Sequence, residues 1–300
     1  MKSAPSWIVG RAKKFLRPVA RRVGLAAPRG EWWNVRRLPW DYQGIGSEFF
    51  CNVCGWSGAK FLKAFHSEGA DCPRCGSISR DRFLMHSFFS TIRDPSNLRV
   101  LETSPRLGSG YRSMMRRHFD YTASDFDLSA HEGDIQLDLQ SIDLPTNSVD
   151  VLLTPHVLEH VPDTTSALKE IHRVLKPGGW MFLQIPLCQG MTSVPLTPEF
   201  HADNTPVYFR FGWDLTDQVR NAGFEVDVLV TEQWRDVLRG DHPRLASNGD
   251  GFAVEDLMDS ATTWIDATRD LVSVADQNLS LVMGFLPAYH FVVWRCRKAV

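Results

Sequence analysis

The sequence predicts an α/β fold built on a parallel sheet, with a small metal-binding module ahead of it. Two stretches carry this expectation. Residues 146–186 read as strand, loop, helix, turn, strand, one complete α/β crossover. Val149, Val151, Leu152 and Leu153 form the short apolar run of a strand buried on both faces. Pro162 and Asp163 open a helix whose apolar positions, Ala167, Leu168, Ile171 and Leu175, recur at helical spacing. Lys176-Pro177-Gly178-Gly179 stops it, and a second apolar strand runs from Trp180 to Ile185. Upstream, Cys51-x2-Cys54 and Cys72-x2-Cys75 stand 17 residues apart.

The strings HVLEHVPD (156–163) and EIHRVLKPGGWMFLQIP (170–186) closely resemble the fourth and fifth strands of class I S-adenosylmethionine-dependent methyltransferases, small-molecule group. The resemblance extends over about residues 83–232 plus the final strand. It implies a seven-stranded, doubly wound, Rossmann-like sheet with S-adenosylmethionine at the carboxyl ends of the strands. His156-Val-Leu-Glu159-His160 also satisfies the H-x-x-E-H spacing of a zinc peptidase group. That chemistry needs both histidines on one face of an established helix. Here His156 directly follows a buried strand and Pro155, and Pro162 cuts the helix short, so the peptidase is rejected.

Three segments follow in order: an arm (1–45), a zinc ribbon (46–82) and a catalytic body (83–300). Residues 1–37 hold ten Lys or Arg and one acid, Glu31, whereas the remainder carries 34 acids against 23 cations. Such an arm seeks an anionic surface. Ile8, Phe15, Leu16, Val19 and Val23 share a helical face beside Trp7, which suits a helix lying in a membrane interface, although Pro18 bends or breaks it. RNA, or packing on the body, are the other uses for it. In the ribbon, Cys51, Cys54, Cys72 and Cys75 have the spacing of a closed tetrahedral zinc site, structural because no position stays open. Gly55 and Gly76 follow the second cysteine of each pair, where a knuckle needs a tight turn. His66, between the pairs, is not needed as a ligand. A helix is expected from Ile78 to Ile92. Arg80 and Arg82 on it face either an anionic substrate or solvent.

Strand one is expected at Leu98–Glu102. The family resemblance implies an acid at its end and a glycine-rich loop whose backbone approaches the cofactor. Glu102 matches, but Thr103 and Ser104 stand at the first loop positions and glycine comes late, at Gly108 and Gly110. Strand two, Tyr121–Asp125, ends on the acid that the resemblance assigns to both ribose hydroxyls, with Asp127 as the alternative. Leu137-Asp138-Leu139 resembles the motif in which an acid accepts from the adenine amino group and the next backbone N–H meets a ring nitrogen; Asp134 and Asp143 are rivals to Asp138. Strand four ends at Thr154-Pro155-His156, where the family places the methyl sulfonium. His156 or His160 would then position the acceptor or take its proton.

The connection 187–215 is long enough to bind substrate, with His201, Arg210, Trp213 and Asp214 as acceptor contacts. A helix over 214–223 and a strand over 224–230 follow. Residues 231–286 are expected as an insertion with helical stretches at 254–258 and 264–272. The last strand, 289–296, would pair antiparallel with strand six. Cys188 and Cys296 are expected as core thiols. No run of 18 uncharged apolar residues exists, which excludes a transmembrane span. No export signal stands at the N-terminus, so a cytoplasmic, thiol-reducing setting is expected, with the arm at the inner membrane face. The function expected is O-methylation of a sugar, glycan precursor or other polar small molecule in polysaccharide biosynthesis. The alternatives are an RNA base methyltransferase and a non-catalytic binding protein of the same fold. Against RNA stand the acidic body and Thr-Pro-His where base-amine enzymes carry Asn/Asp-Pro-Pro-Tyr/Phe.

Overall fold

The computed structural model describes residues 49–63, 69–92, 97–129, 132–187, 190–201, 204–239, 271–285 and 292–300. The basic arm, His66, Cys188 and the stretch 254–258 lie outside these residues.

The ribbon begins with strands β1 (Phe49–Cys51) and β2 (Trp56–Gly58), an antiparallel hairpin. Both knuckle glycines adopt the left-handed backbone the spacing predicts, Gly55 at φ 69° and Gly76 at φ 73°. Each returns its N–H to the carbonyl of the knuckle's first cysteine: Gly55 to Cys51 at 2.8 Å, Gly76 to Cys72 at 2.9 Å. Helix α1 (Ser79–Thr91) follows at once, its first turn closed by Asp81, which accepts from the Ile78 N–H at 2.9 Å.

Along the body run β3 (Arg99–Thr103), α2 (Ser109–His118), β4 (Asp120–Asp125), β5 (Ile135–Gln136), β6 (Val149–Pro155), α3 (Thr164–Val174) and β7 (Leu175–Gln184). After the short hairpin β8 (Glu199–Phe200) and β9 (Pro206–Val207) come α4 (Leu215–Asn221) and β10 (Phe224–Thr231). The chain continues with α5 (Glu232–Arg239), β11 (Leu271–Ala275), α6 (Gln277–Met283) and β12 (Val293–Lys298). The main sheet has the order β11-β10-β12-β7-β6-β3-β4-β5. β12 is antiparallel to both neighbours, as the sequence predicts for the last strand.

The sheet therefore has eight strands among the described residues, not the seven expected. The additional one, β11, joins parallel to the outer edge of β10, Val228 opposite Leu271 and Leu229 opposite Val272. Leu271 and Val272 were expected in a helix. They extend instead because Leu271-Val-Ser-Val-Ala275 is rich in β-branched residues and has an open strand edge beside it. The double winding is visible in the packing. Leu152 on β6 packs with Leu168 and Ile171 of α3, whereas Val151 and Leu153 pack with Phe83, Phe88 and Met115 on the opposite face. The Lys176-Pro-Gly-Gly179 turn is looped out of the β6–β7 ladder, since Val149 pairs with Leu175 and Val151 already with Trp180. Gly178 sits there at φ 76°, and a Cβ on Gly179 would stand 2.8 Å from the Lys176 carbonyl.

Candidate functional site

From β3 the chain moves outward through β4 and β5, then returns on the other side of β3 with β6. The crevice at the carboxyl ends of β3 and β6 is thus the topological switch point, where open α/β sheets bind ligands. The two strand ends are joined there. Thr103 Oγ1 donates to Thr154 Oγ1 at 3.1 Å, and both side chains are buried. The first residue beyond each strand turns sharply: Ser104 after β3 has φ 46° and His156 after β6 has φ 53°. Each strained turn is pinned through its N–H, Ser104 to the Ser124 carbonyl at 2.7 Å and His156 to the Gln184 carbonyl at 2.6 Å. Non-glycine residues held in this region cost on the order of 1 kcal/mol and cluster at ligand sites. So the glycine-poor loop takes a left-handed backbone at a serine, Ser104.

Asp125 ends β4 beside this crevice, 5% exposed, with Oδ1 accepting from the Asp127 N–H at 2.9 Å. Asp127 is exposed and its own Oδ1 takes the Ser129 N–H and hydroxyl. Asp138 follows β5 and closes a turn, Oδ1 accepting from the Gln140 N–H at 2.8 Å. Of its rivals, Asp134 is tied to the Ala123 N–H at 2.9 Å and to Arg116, and Asp143 is exposed. Leu139 is 4% exposed. Glu102 turns into the fold. Its Oε2 accepts from Tyr121 at 2.7 Å and Tyr111 at 2.9 Å. Burial pushes this carboxyl up to about 7, against the pull of the two hydroxyls.

The ribbon reaches the same crevice. Arg80, on the first turn of α1, brings Nη1 to 3.2 Å from His156 Nδ1 and 3.3 Å from Nε2. Arg106, in the loop after β3, bonds to Asp81 and to the Gly76 carbonyl at 3.2 Å. One knuckle therefore contacts the first loop directly, and its helix contacts the histidine at the end of β6. Arg82 is neither a substrate contact nor solvated. It is fully buried, donating to the Met283 carbonyl at 2.7 Å and the Ser77 carbonyl at 2.6 Å, over the Phe61 ring.

Leu158–His160 form a single 3₁₀ turn, so the H-x-x-E-H pattern lies on no established helix. Of the connection residues, His201 packs its ring against His160 at 4.6 Å, and Arg210 pairs with Glu199. Trp213 is 2% exposed and packs on Trp294, a core role instead of the acceptor contact expected. Asp214 likewise holds the connection, accepting from the Thr192 N–H at 2.7 Å and hydroxyl at 2.8 Å. Cys296 is a buried core thiol, as expected.

The four ribbon cysteines gather with all Sγ atoms within 4.8 Å of one another; Cys51 and Cys75 are 3.7 Å apart, Cys54 and Cys72 3.6 Å. Tetrahedral zinc with Zn–S bonds near 2.3 Å separates its sulfurs by about 3.8 Å. The donor set thus fits zinc in both chemistry and size. Burial pushes the Cys75 thiol well above its ordinary range, a cost that a bound dication would offset.

Against known families, a model described as "Methyltransferase domain" matches residues 80–229. Arsenite methyltransferase of Aquipseudomonas alcaligenes is 40% identical over 68 residues, 22% of this chain and 19% of that protein. Demethylmenaquinone methyltransferase of Staphylococcus epidermidis is 36% identical over 74 residues, 25% of this chain and 28% of that protein. The chain thus spans less than a third of the length of these relatives. An S-adenosylmethionine dependent methyltransferase from Mesorhizobium loti aligns with 71% of this chain and 96% of its own, at 13% identity and a TM-score of 0.39.

Proposed function

The chain belongs to the methyltransferase-domain family, and from that premise we propose that it methylates an oxygen of a sugar, glycan precursor or other polar small molecule with S-adenosylmethionine. The observation that carries the cofactor is the switch-point crevice, where a buried acid, Asp125, and two left-handed turns, Ser104 and His156, come together. S-adenosylmethionine supplies an electrophilic methyl group. Asp125 accepts from the ribose hydroxyls, Asp138 from the adenine amino group, and the Leu139 N–H meets the adenine ring. The backbone of Thr103 and Ser104 lines the first loop, Thr154 ties it to β6, and Glu102 anchors it through the two tyrosines. His156 and His160 align the acceptor and take its proton. The four cysteines hold one structural zinc. The test is a calorimetric titration of the purified protein with S-adenosylmethionine and its demethylated product. Saturable binding of one ligand per chain is expected. No heat with either compound at millimolar concentration would replace the enzyme with a non-catalytic binding protein.

The basic arm supports a peripheral place at an anionic, cytoplasmic membrane face, where glycan precursors are assembled. No helix of the described residues is long and apolar enough to cross a membrane. Deleting residues 1–30 is expected to abolish co-sedimentation with phosphatidylserine vesicles and leave cofactor affinity unchanged. Equal sedimentation of the full and deleted chains would remove the membrane from this proposal.

A further inference from the structure

Glu159 has an environment that nothing in the fold requires. It lies in the 3₁₀ turn after β6 and is 2% exposed. Neither carboxylate oxygen receives a hydrogen bond from another described residue, a rare state for a buried acid. Instead Oε1 stands 3.7 Å from His156 Nδ1 and 3.9 Å from His160 Nε2. The turn is fixed from outside: the connection strand lays the Tyr208 N–H on the Glu159 carbonyl at 2.8 Å. The tautomer of His160 is fixed as well. Its Nδ1 lies 2.6 Å from the Pro206 carbonyl, which can only accept, so Nδ1 carries hydrogen and Nε2 is the nitrogen that faces the carboxyl group. Among the described residues, the other titratable or charged groups here are Arg80 on α1, whose Nη1 also lies 3.2 Å from His156 Nδ1, and, one ring beyond His160, His201 on the connection.

We propose that Glu159 is the positioning residue of the acceptor-side base, orienting His156 and sharing one proton among His156, His160 and itself. The proposal rests on the methyl-transfer function proposed above for the acceptor's part in it. A hydroxyl acceptor that gains a methyl group must lose a proton. Its O–H bond breaks, the oxygen keeps that pair for the new C–O bond, and the former methyl–sulfur pair stays with the sulfonium donor. The proton passes to His156, and the ionised form of the carboxyl group 3.7 Å away balances the imidazolium. This is the carboxylate–histidine logic of an oriented base, with contacts that are looser before the acceptor arrives. Burial pushes Glu159 up to about 8, with its own N–H and Arg80 pulling it down. Near neutral pH the carboxyl group therefore mostly holds a proton, and the ionised form that balances His156 grows as pH rises.

The experiment follows the imidazole resonances of His156 and His160, and the ¹³C carboxyl signal of Glu159, through a pH titration without acceptor. In the wild type the carboxyl signal is expected to titrate above the ordinary glutamate range, in steps shared with an imidazole. In Glu159→Gln, which keeps the volume and the neutral form, the His156 midpoint is expected to fall, because the proton held jointly with the carboxyl group is then held by the imidazole alone. A carboxyl signal titrating alone near about 4.3 would overturn the proposal, as would an unchanged His156 midpoint. Neither measurement needs S-adenosylmethionine, so failure of cofactor binding and failure of this proton-sharing group remain distinguishable.

Discussion

Replacing Cys72 with serine is expected to release the metal and unfold the ribbon, the largest single effect in the molecule. A structural zinc contributes its binding free energy to folding, apparent values being about 10–16 kcal/mol in zinc-finger peptides. Losing one of four thiolates forfeits several kcal/mol of it, which at this chain length lowers Tm by roughly 10 °C. The reason is geometric. The Sγ atoms are preset at tetrahedral separations, and three thiolates plus a serine hydroxyl no longer fill the shell. The effect should not stay local. Arg106 ties the first loop to the Gly76 carbonyl of the knuckle, so the variant should also bind cofactor more weakly. Elemental analysis of the purified, reduced wild type checks the premise. One zinc per chain supports it, and a metal-free, fully folded wild type would refute it.

Asp125→Ala is expected to weaken cofactor binding by roughly ten- to a hundredfold. A hydrogen bond to a charged group contributes about 1.5–3 kcal/mol, and every 1.4 kcal/mol is a factor of ten in affinity. The carboxylate is 5% exposed, so little water competes for it. Asp125→Asn should cost less, because it keeps one acceptor oxygen. His156→Ala should instead lower turnover while leaving cofactor affinity near the wild-type value, since it faces the acceptor. Calorimetry on the three variants separates these outcomes. Unchanged affinity in Asp125→Ala would move the ribose contact elsewhere, with Asp127 the next acid along the loop.

The central crossover was legible because each of its signals is local. The β6 apolar run, the helical spacing of Ala167, Leu168 and Ile171, and the Lys176-Pro-Gly-Gly179 stop all act within a few residues. The knuckles were legible for the same reason, since the backbone need at Gly55 and Gly76 is set by the adjoining cysteines. What sequence could not supply was the identity of distant neighbours. β11 is a strand because β10 offers it an edge some 40 residues earlier in the chain. Trp213 is core because Trp294 meets it, and Arg82 is buried because the Met283 carbonyl receives it. Glu159 was visible only as the middle of a rejected peptidase pattern. Its isolation between two imidazoles depends on how the 3₁₀ turn and the β9 region close around it. The one signal available was an acid placed amid apolar residues directly after a buried strand.

The place of β12 has a consequence for how the protein is made. It is the last of the described strands in chain order, yet it lies inside the sheet, bonded to β10 on one side and β7 on the other. A ribosome delivers strands in sequence, and domains fold as they emerge. β3 to β7 can assemble early into a five-stranded platform, but β10 and β11 have nowhere to dock until Val293–Lys298 is released. During that interval the β7 edge stays open, a template for wrong pairing with another nascent chain. When β12 arrives it closes both edges at once, and Arg295 adds an ion pair to Asp227 of β10 at 2.6 Å.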